Sequence, residues 1–506
     1  MKPVIIIKKD SYNDSVFLMQ LSARLKKTPG VGDAVVAMGT PMNLELLEKS
    51  GYAKADFAGA GPNDLVAAVK AENLDKPALE ALLKEALAAK TGKAAKQRPV
   101  GLTGAVKDLP EAGLVIISLP GEHAAREARR SLALGKHVLL FSDNVSVEEE
   151  LALKQDAVAK GLLMMGPDCG TAIINGKPLA FANVVRRGAI GVVGASGTGV
   201  QEVTSIIHRL GGGVSQAIGT GGRDLSKDIG GLMSILGLEA LAADPDTKVL
   251  VFVSKPPAAE VKAKIEETLR RCPKPAVIHM VGAEVPPDEP ATGLYFADSL
   301  AAAAEKACAL LGLKVTPEAE GTLPSPETIA KAMNGRKTLK ALFCGGTTGA
   351  ESLVLLGRAG LAIKSNLHKK GELRIEGETP ETGHVLLDLG DDIFTRGRPH
   401  PMIEPVLRNE RLMLEGADPD AGLLLFDCVL GYGSHDDPAG LLAEGVTELR
   451  RKLGFAIPAI ASITGTDLDP QDFHGQKKKL EDAGILVASD NRKAALLAAA
   501  VLGRRG

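Results

Sequence analysis

The chain contains no tryptophan, and aromatic residues make up only 3% of its 506 positions. That scarcity excludes the stacked aromatic platforms on which single-stranded nucleic acids are held. No charge of one sign dominates either. Sixty basic residues stand against 62 acidic ones, a formal net charge of −2, which argues against a nucleic-acid or membrane-surface role. No apolar run approaches the ~20 residues that cross a bilayer. The apolar run at residues 4–7 is too short for a signal peptide. The expected setting is cytoplasmic, with neither membrane nor nucleic acid as partner. Five cysteines lie far apart, at 169, 272, 308, 344 and 428. They form no CxxC pair, and their odd number fits reduced thiols better than a disulfide framework. No metal site is expected from them.

What the chain has instead is 45% hydrophobic residues and 57 glycines. Its length predicts three or four domains. Residues 1–92 read as a small α+β module, with strands at 4–7 and 33–38 and helices at 14–27 and 76–89, a ferredoxin-like start. A polar, basic stretch at 88–98 reads as a linker. From 96 to 180 strand and helix patterns alternate, with strands at 114–118, 137–141 and 162–165, which predicts a parallel sheet with crossover helices. A second unit, 185–318, opens with a strand at 189–193, a Gly-rich turn at 194–199 and a helix at 200–210. Residues 318–327 read as the second linker. A third unit, 328–506, repeats the plan with a strand at 339–343, a turn at 345–349 and a helix at 350–359. The repetition reads as a distant internal duplication.

Chemistry is expected where these strands end. In GVVGASGTGVQE (191–202) the first amides of the new helix lack partners and lie at the positive end of its dipole, where phosphate or carboxylate binds. Ser196, Gly197 and Thr198 are the anion-binding candidates there. Gly345, Gly346, Thr347 and Thr348 are their counterparts in FCGGTTGAES (343–352). Each loop alone also reads as an ordinary tight turn. GPDCGT (166–171) offers Asp168, Cys169 and Thr171 as substrate contacts. Cys169 reads more simply as a small buried residue than as a nucleophile. Arg223 in GTGGRDL (219–225), with Arg396 and Arg398 in DLGDDIFTRGRPHPMIEP (388–405), are candidate clamps for a carboxylate or phosphate. Asp391 and Asp392 either pair with those arginines or hold a cation. His400 and His435 are the candidate proton carriers. His279 lies in a strand pattern, a poor place for a phosphate carrier.

These loops resemble succinyl-CoA synthetase. Residues 114–315 are similar to its α subunit through LVIISLPGEHAAREARRSLALGKHVLLFSD, MMGPDCGTAI, GVVGASGTGVQE and AIGTGGRDL. Residues 339–503 are similar to the carboxy-terminal ligase domain of its β subunit through LFCGGTTGAESL, GHVLLDLGD and LLLFDCVLGYG. The resemblance implies an α/β fold: a Rossmann-like CoA-binding-type domain plus two flavodoxin-like succinyl-CoA synthetase ligase domains, preceded by the small α+β module. Over its whole length, including that module and DLGDDIFTRGRPHPMI, the chain resembles the FdrA family. The departures matter. The synthetase's phosphorylated histidine has no counterpart in PAVIHMVGAEVPPDEPATGLYFADSL, its nucleotide-binding ATP-grasp region is missing, and its early CoA-phosphate loop is not recognisable between 96 and 113.

The FdrA resemblance implies a subunit of oxamate carbamoyltransferase in allantoin nitrogen catabolism. Such a protein exchanges a carbamoyl group between oxamate and phosphate with partner subunits. The small-molecule ligands to test are phosphate, carbamoyl phosphate and CoA, and a homo-oligomer is expected. Two alternatives stand beside it: a CoA-binding acyl-CoA synthetase or transferase, and a CoA- or metabolite-sensing regulator.

Overall fold

A computed structural model of the chain describes residues 2–11, 13, 15–26, 28–72, 75–89, 101–314, 323–396 and 398–503. Of the two expected linkers, 90–98 and 318–322 lie outside these residues, as do the domain limits at 92, 96 and 318. The chain divides into two compact units, Met1–Leu109 and Pro110–Gly506.

The first unit contains β1 (Lys2–Lys8), α1 (Ser15–Lys26), β2 (Val31–Met38), α2 (Pro41–Lys49), β3 (Leu65–Ala71), α3 (Lys76–Ala89) and α4 (Leu102–Asp108). Its antiparallel sheet has the order β1-β3-β2. Side chains alternate across a strand. Thus Ile6, Val36, Ala67 and Val69 pack with Leu18, Leu21, Leu79 and Leu83 on one face. Ile5, Ile7, Val66 and Ala68 pack with Leu47, Tyr52 and Phe57 on the other.

The second unit holds three sheets. The smallest is parallel and has the order β4-β5-β6. It contains β4 (Leu114–Ile117), α5 (Gly121–Ala133), β5 (His137–Leu140), α6 (Val147–Ala159) and β6 (Met164–Met165). A hairpin of β7 (Thr171–Ile174) and β8 (Lys177–Ala180) follows. The sequence reading places this hairpin in the 96–180 domain, yet β7 pairs antiparallel with β10 of the next sheet.

That next sheet continues with β9 (Arg187–Ala195), α7 (Gly197–Arg209), β10 (Val214–Gly219), α8 (Leu232–Ala243), β11 (Val249–Ser254), α9 (Ala259–Arg270), β12 (Ala276–Met280), β13 (Leu294–Phe296) and α10 (Leu300–Leu310). Its order is β13-β12-β11-β9-β10-β7-β8. The third sheet follows α11 (Pro326–Ala332). It contains β14 (Thr338–Phe343), α12 (Gly346–Arg358), β15 (Ile363–Ser365), β16 (His384–Asp388), α13 (Asp392–Thr395), α14 (Val406–Gly416), β17 (Ala421–Val429), α15 (Pro438–Leu453), β18 (Ala459–Thr464), α16 (Phe473–Asp482), β19 (Leu486–Ala488) and α17 (Asn491–Leu502). Its strands run in the order β15-β16-β14-β17-β18-β19, and every pairing is parallel.

Parallel strands covered on both faces read as unbroken apolar runs. Ile190, Val192 and Val193 of β9 are buried, as is the whole of β17. Strand β9 lies between β10 and β11, and β14 between β16 and β17. In each sheet the chain passes to one side of its opening strand and later to the other. The carboxyl end of such a strand is where open α/β sheets leave a ligand crevice. Both Gly-rich turns lie there. Among the described residues, no helix is long and apolar enough to cross a membrane.

Candidate active site

The starts of α7 and α12 touch. Ser196 Oγ and Thr347 Oγ1 are 2.7 Å apart, and the Thr347 amide donates to Thr198 Oγ1 at 3.2 Å. Glycine permits this approach. A Cβ on Gly345 would lie 2.8 Å from Thr198 Cγ2, and one on Gly199 would lie 3.0 Å from Thr347 Cγ2. Both helices begin three residues earlier than the sequence predicts or more, at Gly197 and Gly346, so much of each expected turn is the first helical turn.

The two starts are held differently. Ser196 caps α7 through its own hydroxyl, which accepts from the Gly199 amide at 3.1 Å. Gly345 has no side chain. No side chain of its own segment caps α12; its Thr347 amide goes to Thr198 across the contact, and Asp427 of β17 fixes the entry by accepting from the Cys344 and Gly345 amides, each at 2.8 Å, and from Thr348 Oγ1 at 2.9 Å. Gly345 and Thr348 therefore face Asp427 and do not line the cavity described next.

The helix starts form one wall of a cavity of about 900 Å³. Ser196, Gly197, Thr198, Gly346 and Thr347 line it, as do Asp168, Cys169, Thr171, Arg223, Arg398 and His400. Most residues singled out from the sequence thus converge. Arg396 is exposed and caps the short helix α13, away from the cavity. His435 also lies outside it: its Nδ1 accepts from the Asp437 amide at 3.0 Å, ordering the entry to α15. His279 is buried in β12, with Nδ1 3.0 Å from the Ala297 carbonyl.

The cavity wall is rich in carboxyls. Burial pushes Asp168 up to about 6; neighbouring Asp143 adds to the shift, while Lys255 and Arg223 oppose it. Burial also raises Asp388 to about 6, again against Lys255. Both acids therefore titrate near neutrality, where proton transfer is most effective. The thiols are inert, because burial pushes Cys169 and Cys344 up to about 12. Thr171 is engaged too, donating to the Phe181 carbonyl at 2.6 Å. Burial drives His400 down to about 4, so its imidazole is neutral. Its Nδ1 accepts from the Met402 amide at 3.2 Å, which assigns the proton to Nε2. His400 is thus a hydrogen-bond donor and a weak base, whereas Asp168 and Asp388 are carboxyls of this wall raised toward neutrality.

Lys255 and Asp388 escape the sequence reading. A Cβ on Gly346 would lie 2.5 Å from Asp388 Oδ2 and 3.6 Å from Lys255 Nζ, so both groups reach the start of α12. Each lies at the carboxyl end of a parallel strand, β16 or β11, the same signal that marks the other loops.

Three family models match the chain. One described as "AllF, heavy metal-associated domain" matches residues 1–101, one described as "CoA binding domain" matches 185–282, and one described as "CoA-ligase" matches 342–501. The CoA-binding match falls on the stretch that the sequence resemblance assigns to the α-type ligase domain. The uncharacterized protein YahF of Escherichia coli (strain K12) is 43% identical over 503 residues, 98% of this chain and 97% of that one. The α-2 subunit of a mitochondrial succinate–CoA ligase (ADP-forming) from Trichomonas vaginalis is 27% identical over 186 residues, covering 35% of this chain and 58% of the subunit. A solved structure of the dinucleotide-forming acetyl-coenzyme A synthetase 1 of Ca. Korarchaeum cryptofilum aligns over 80% of this chain and 88% of its own, with 15% identity and a TM-score of 0.34.

Two groups implied by these matches meet the residues differently. Residues 1–101 contain no cysteine and no histidine, and their thioethers are limited to Met1, Met19, Met38 and Met42, so that unit lacks the thiolates and imidazoles that hold most such metals. For coenzyme A, the cavity offers volume, with Asp143, Asp168, Asp388, Asp391 and Asp392 on its wall beside Arg223, Lys255 and Arg398.

Proposed function

The chain belongs to the family of the Escherichia coli protein YahF, on a succinyl-CoA-synthetase-like CoA-binding and ligase scaffold, and from that membership we propose that it transfers a carbamoyl group between phosphate and oxamate. The carrying observation is the 2.7 Å contact of Ser196 with Thr347, which joins two helix starts in one cavity wall. In this reading the chain is an FdrA-type subunit of oxamate carbamoyltransferase, acts in allantoin nitrogen catabolism in the cytoplasm, and works with partner subunits and as a homo-oligomer. The match of residues 1–101 to a domain named for AllF supports the same assignment.

Phosphate binds at the free amides of Gly197, Thr198 and Gly346, with Lys255 adding charge. A phosphate oxygen attacks the carbamoyl carbon of N-carbamoyl-oxamate. The C–O bond to phosphate forms, the C–N bond to oxamate breaks, and carbamoyl phosphate and oxamate leave. Hydrogen phosphate gives up one proton and the oxamate nitrogen takes one. Asp168 and Asp388, each near 6, relay it. The helix starts stabilise the charge that builds on the attacked carbonyl. Both cavity thiols stay protonated and His400 is a weak base, which favours direct transfer over a covalent enzyme intermediate.

A CoA-linked acyl transfer is the second reading, favoured by the CoA-binding match over 185–282. The test is to incubate the purified chain, alone and with the proteins encoded beside it, in two mixtures. N-carbamoyl-oxamate with phosphate yields carbamoyl phosphate if the reading holds. A thioester formed from succinate, CoA and ATP instead would overturn it. Tight CoA binding without turnover in either mixture points to the sensing role.

A further inference from the structure

Gln201 lies in the second turn of α7, four residues after Gly197, and lines the cavity. It is only 1% exposed. Its Nε2 donates to Asn183 Oδ1 at 3.1 Å, whereas its Oε1 is buried and has no hydrogen-bond partner among the described residues. A buried acceptor without a donor is costly, and native structures keep few of them.

Which end of that amide is the oxygen follows from its neighbours. Asn183, between β8 and β9, is fully buried. Its Nδ2 lies 3.0 Å from the Leu430 carbonyl and 2.8 Å from Asp469 Oδ2. A backbone carbonyl can only accept, so the group facing it is the NH2 of Asn183. The other end of Asn183 is then an oxygen, and Gln201 must turn its own NH2 toward it. Asp469 is fixed in its turn: Oδ1 accepts from the Val184 amide at 2.7 Å, and Oδ2 from the Thr466 amide at 2.8 Å. The chain of contacts ends on one unpaired oxygen, Gln201 Oε1.

Helix geometry sets where that side chain goes. The Cα–Cβ bond of a helical residue tilts toward the amino end, so the Gln201 side chain leaves α7 toward the anion-binding start. Gly197 stands on the same face one turn (~5.4 Å) earlier. It has no side chain, and a Cβ there would meet only Thr171 Oγ1, at 3.4 Å. The face ahead of Gln201 is therefore left open beside the cavity.

The geometry points to Gln201 as a specificity-determining residue: its Oε1 accepts an N–H of the carbamoyl group whose phosphate sits at the start of α7, and Asn183 and Asp469 are positioning residues that hold the amide in that sense. The inference rests on the carbamoyl-transfer reading and adds what selects the group transferred. Carbamoyl and acetyl groups have nearly the same shape, and only the first carries N–H bonds. A site whose polar atom the wrong ligand leaves unpaired discriminates far better than one that merely fits a shape.

Calorimetric titration of the full chain in the cold with carbamoyl phosphate, acetyl phosphate and inorganic phosphate tests this without turnover. Carbamoyl phosphate should bind about tenfold more tightly than acetyl phosphate. That comparison is made on the unsubstituted chain, so it needs no variant to fold. Gln201→Met keeps the length of the side chain and loses its oxygen. It should bring carbamoyl phosphate down to the affinity of acetyl phosphate and leave inorganic phosphate within about twofold. Asn183→Ala should narrow the same ratio, whereas a purely structural loss would weaken all three ligands alike. Equal affinity for carbamoyl and acetyl phosphate in the unsubstituted chain, with inorganic phosphate bound, overturns the assignment of Gln201 alone. Failure of all three to bind overturns the carbamoyl-transfer reading with it. A Gln201→Met chain that loses inorganic phosphate as strongly as carbamoyl phosphate also overturns the proposal, since the oxygen would then serve the anion.

Discussion

Helix α7 begins on a serine that caps it, whereas α12 begins on a glycine that cannot. At α7 the capping atom and the atom facing the other helix are one, Ser196 Oγ, which accepts from Gly199 and meets Thr347. At α12 no such cap exists; Asp427, 82 residues away from Gly345, holds the entry to the helix instead. A missing side chain at Gly345 lets the helices approach, and Thr198 of the other helix accepts from the first-turn Thr347 amide. One strand–turn–helix opening has thus been stabilised in two ways. The first is local and depends on a single hydroxyl. The second is tertiary and depends on the packing of β14 against β17.

The largest break in this comparison is Asp427→Ala. It strands two buried amides, and should destabilise the chain by about 3 kcal/mol or more in denaturant unfolding. An effect no larger than that of Ser196→Ala would show that the local and the tertiary device contribute equally. Next comes pH. Each helix carries a glutamate at its sixth residue, Glu202 in α7 and Glu351 in α12, and both are buried. They share Asn491: its amide donates to Glu202 Oε1 at 3.1 Å, and its side chain to Glu351 Oε2 at 2.7 Å. Burial raises Glu351 to about 7 and raises Glu202 as well. A carboxyl raised in the folded state holds its proton there after the unfolded chain has released it. Stability from Glu351 should therefore fall as pH climbs from about 4.5 to about 7, by up to ~3 kcal/mol. Glu351→Gln should flatten that slope in melting curves across this range; an unchanged slope would place the titration elsewhere.

The parallel architecture was legible because its strands are continuous apolar runs ending in Gly-rich turns. For the same reason Ser196, Thr198, Gly346 and Thr347 were found. The hairpin at 171–180 was not, since its pairing with β10 is a tertiary event with no local period. Asp427 was invisible as the partner of the Cys344 and Gly345 amides because it lies inside a buried strand, where an acidic residue reads only as an oddity. Lys255 and Asp388 carried a usable signal, each standing where a strand closes, but neither was singled out. The glutamates Glu202 and Glu351 recur at the same distance from paired glycine turns, a spacing that the internal duplication would have exposed. His435 was misjudged in the other direction: a loop histidine after a buried strand proved to be a turn-forming acceptor.

A smaller perturbation tests the close approach itself. A Cβ at Gly345 would stand 2.6 Å from Thr348 Oγ1, 2.8 Å from Thr198 Cγ2 and 2.9 Å from Asp427 Oδ2. Gly345→Ala must push α7 away or displace Asp427, at about 2 kcal/mol, and should also abolish stabilisation by phosphate in a thermal-shift titration. Full phosphate response in a destabilised variant would separate the helix contact from anion binding.

The smallest effect sharpens the comparison most. Ser196→Ala removes one local cap and leaves the Gly199 amide in the first turn without its acceptor. The cost should be about 1 kcal/mol, the usual value for a serine cap. Thr347 also loses its hydroxyl partner, so phosphate affinity should fall further than this stability loss accounts for. Ser196→Asn keeps a capping oxygen but enlarges the group that meets Thr347. If Asn restores stability and not phosphate binding, the two roles of Ser196 Oγ come apart, as they already have at α12, where Asp427 fixes the entry and Thr347 lines the cavity.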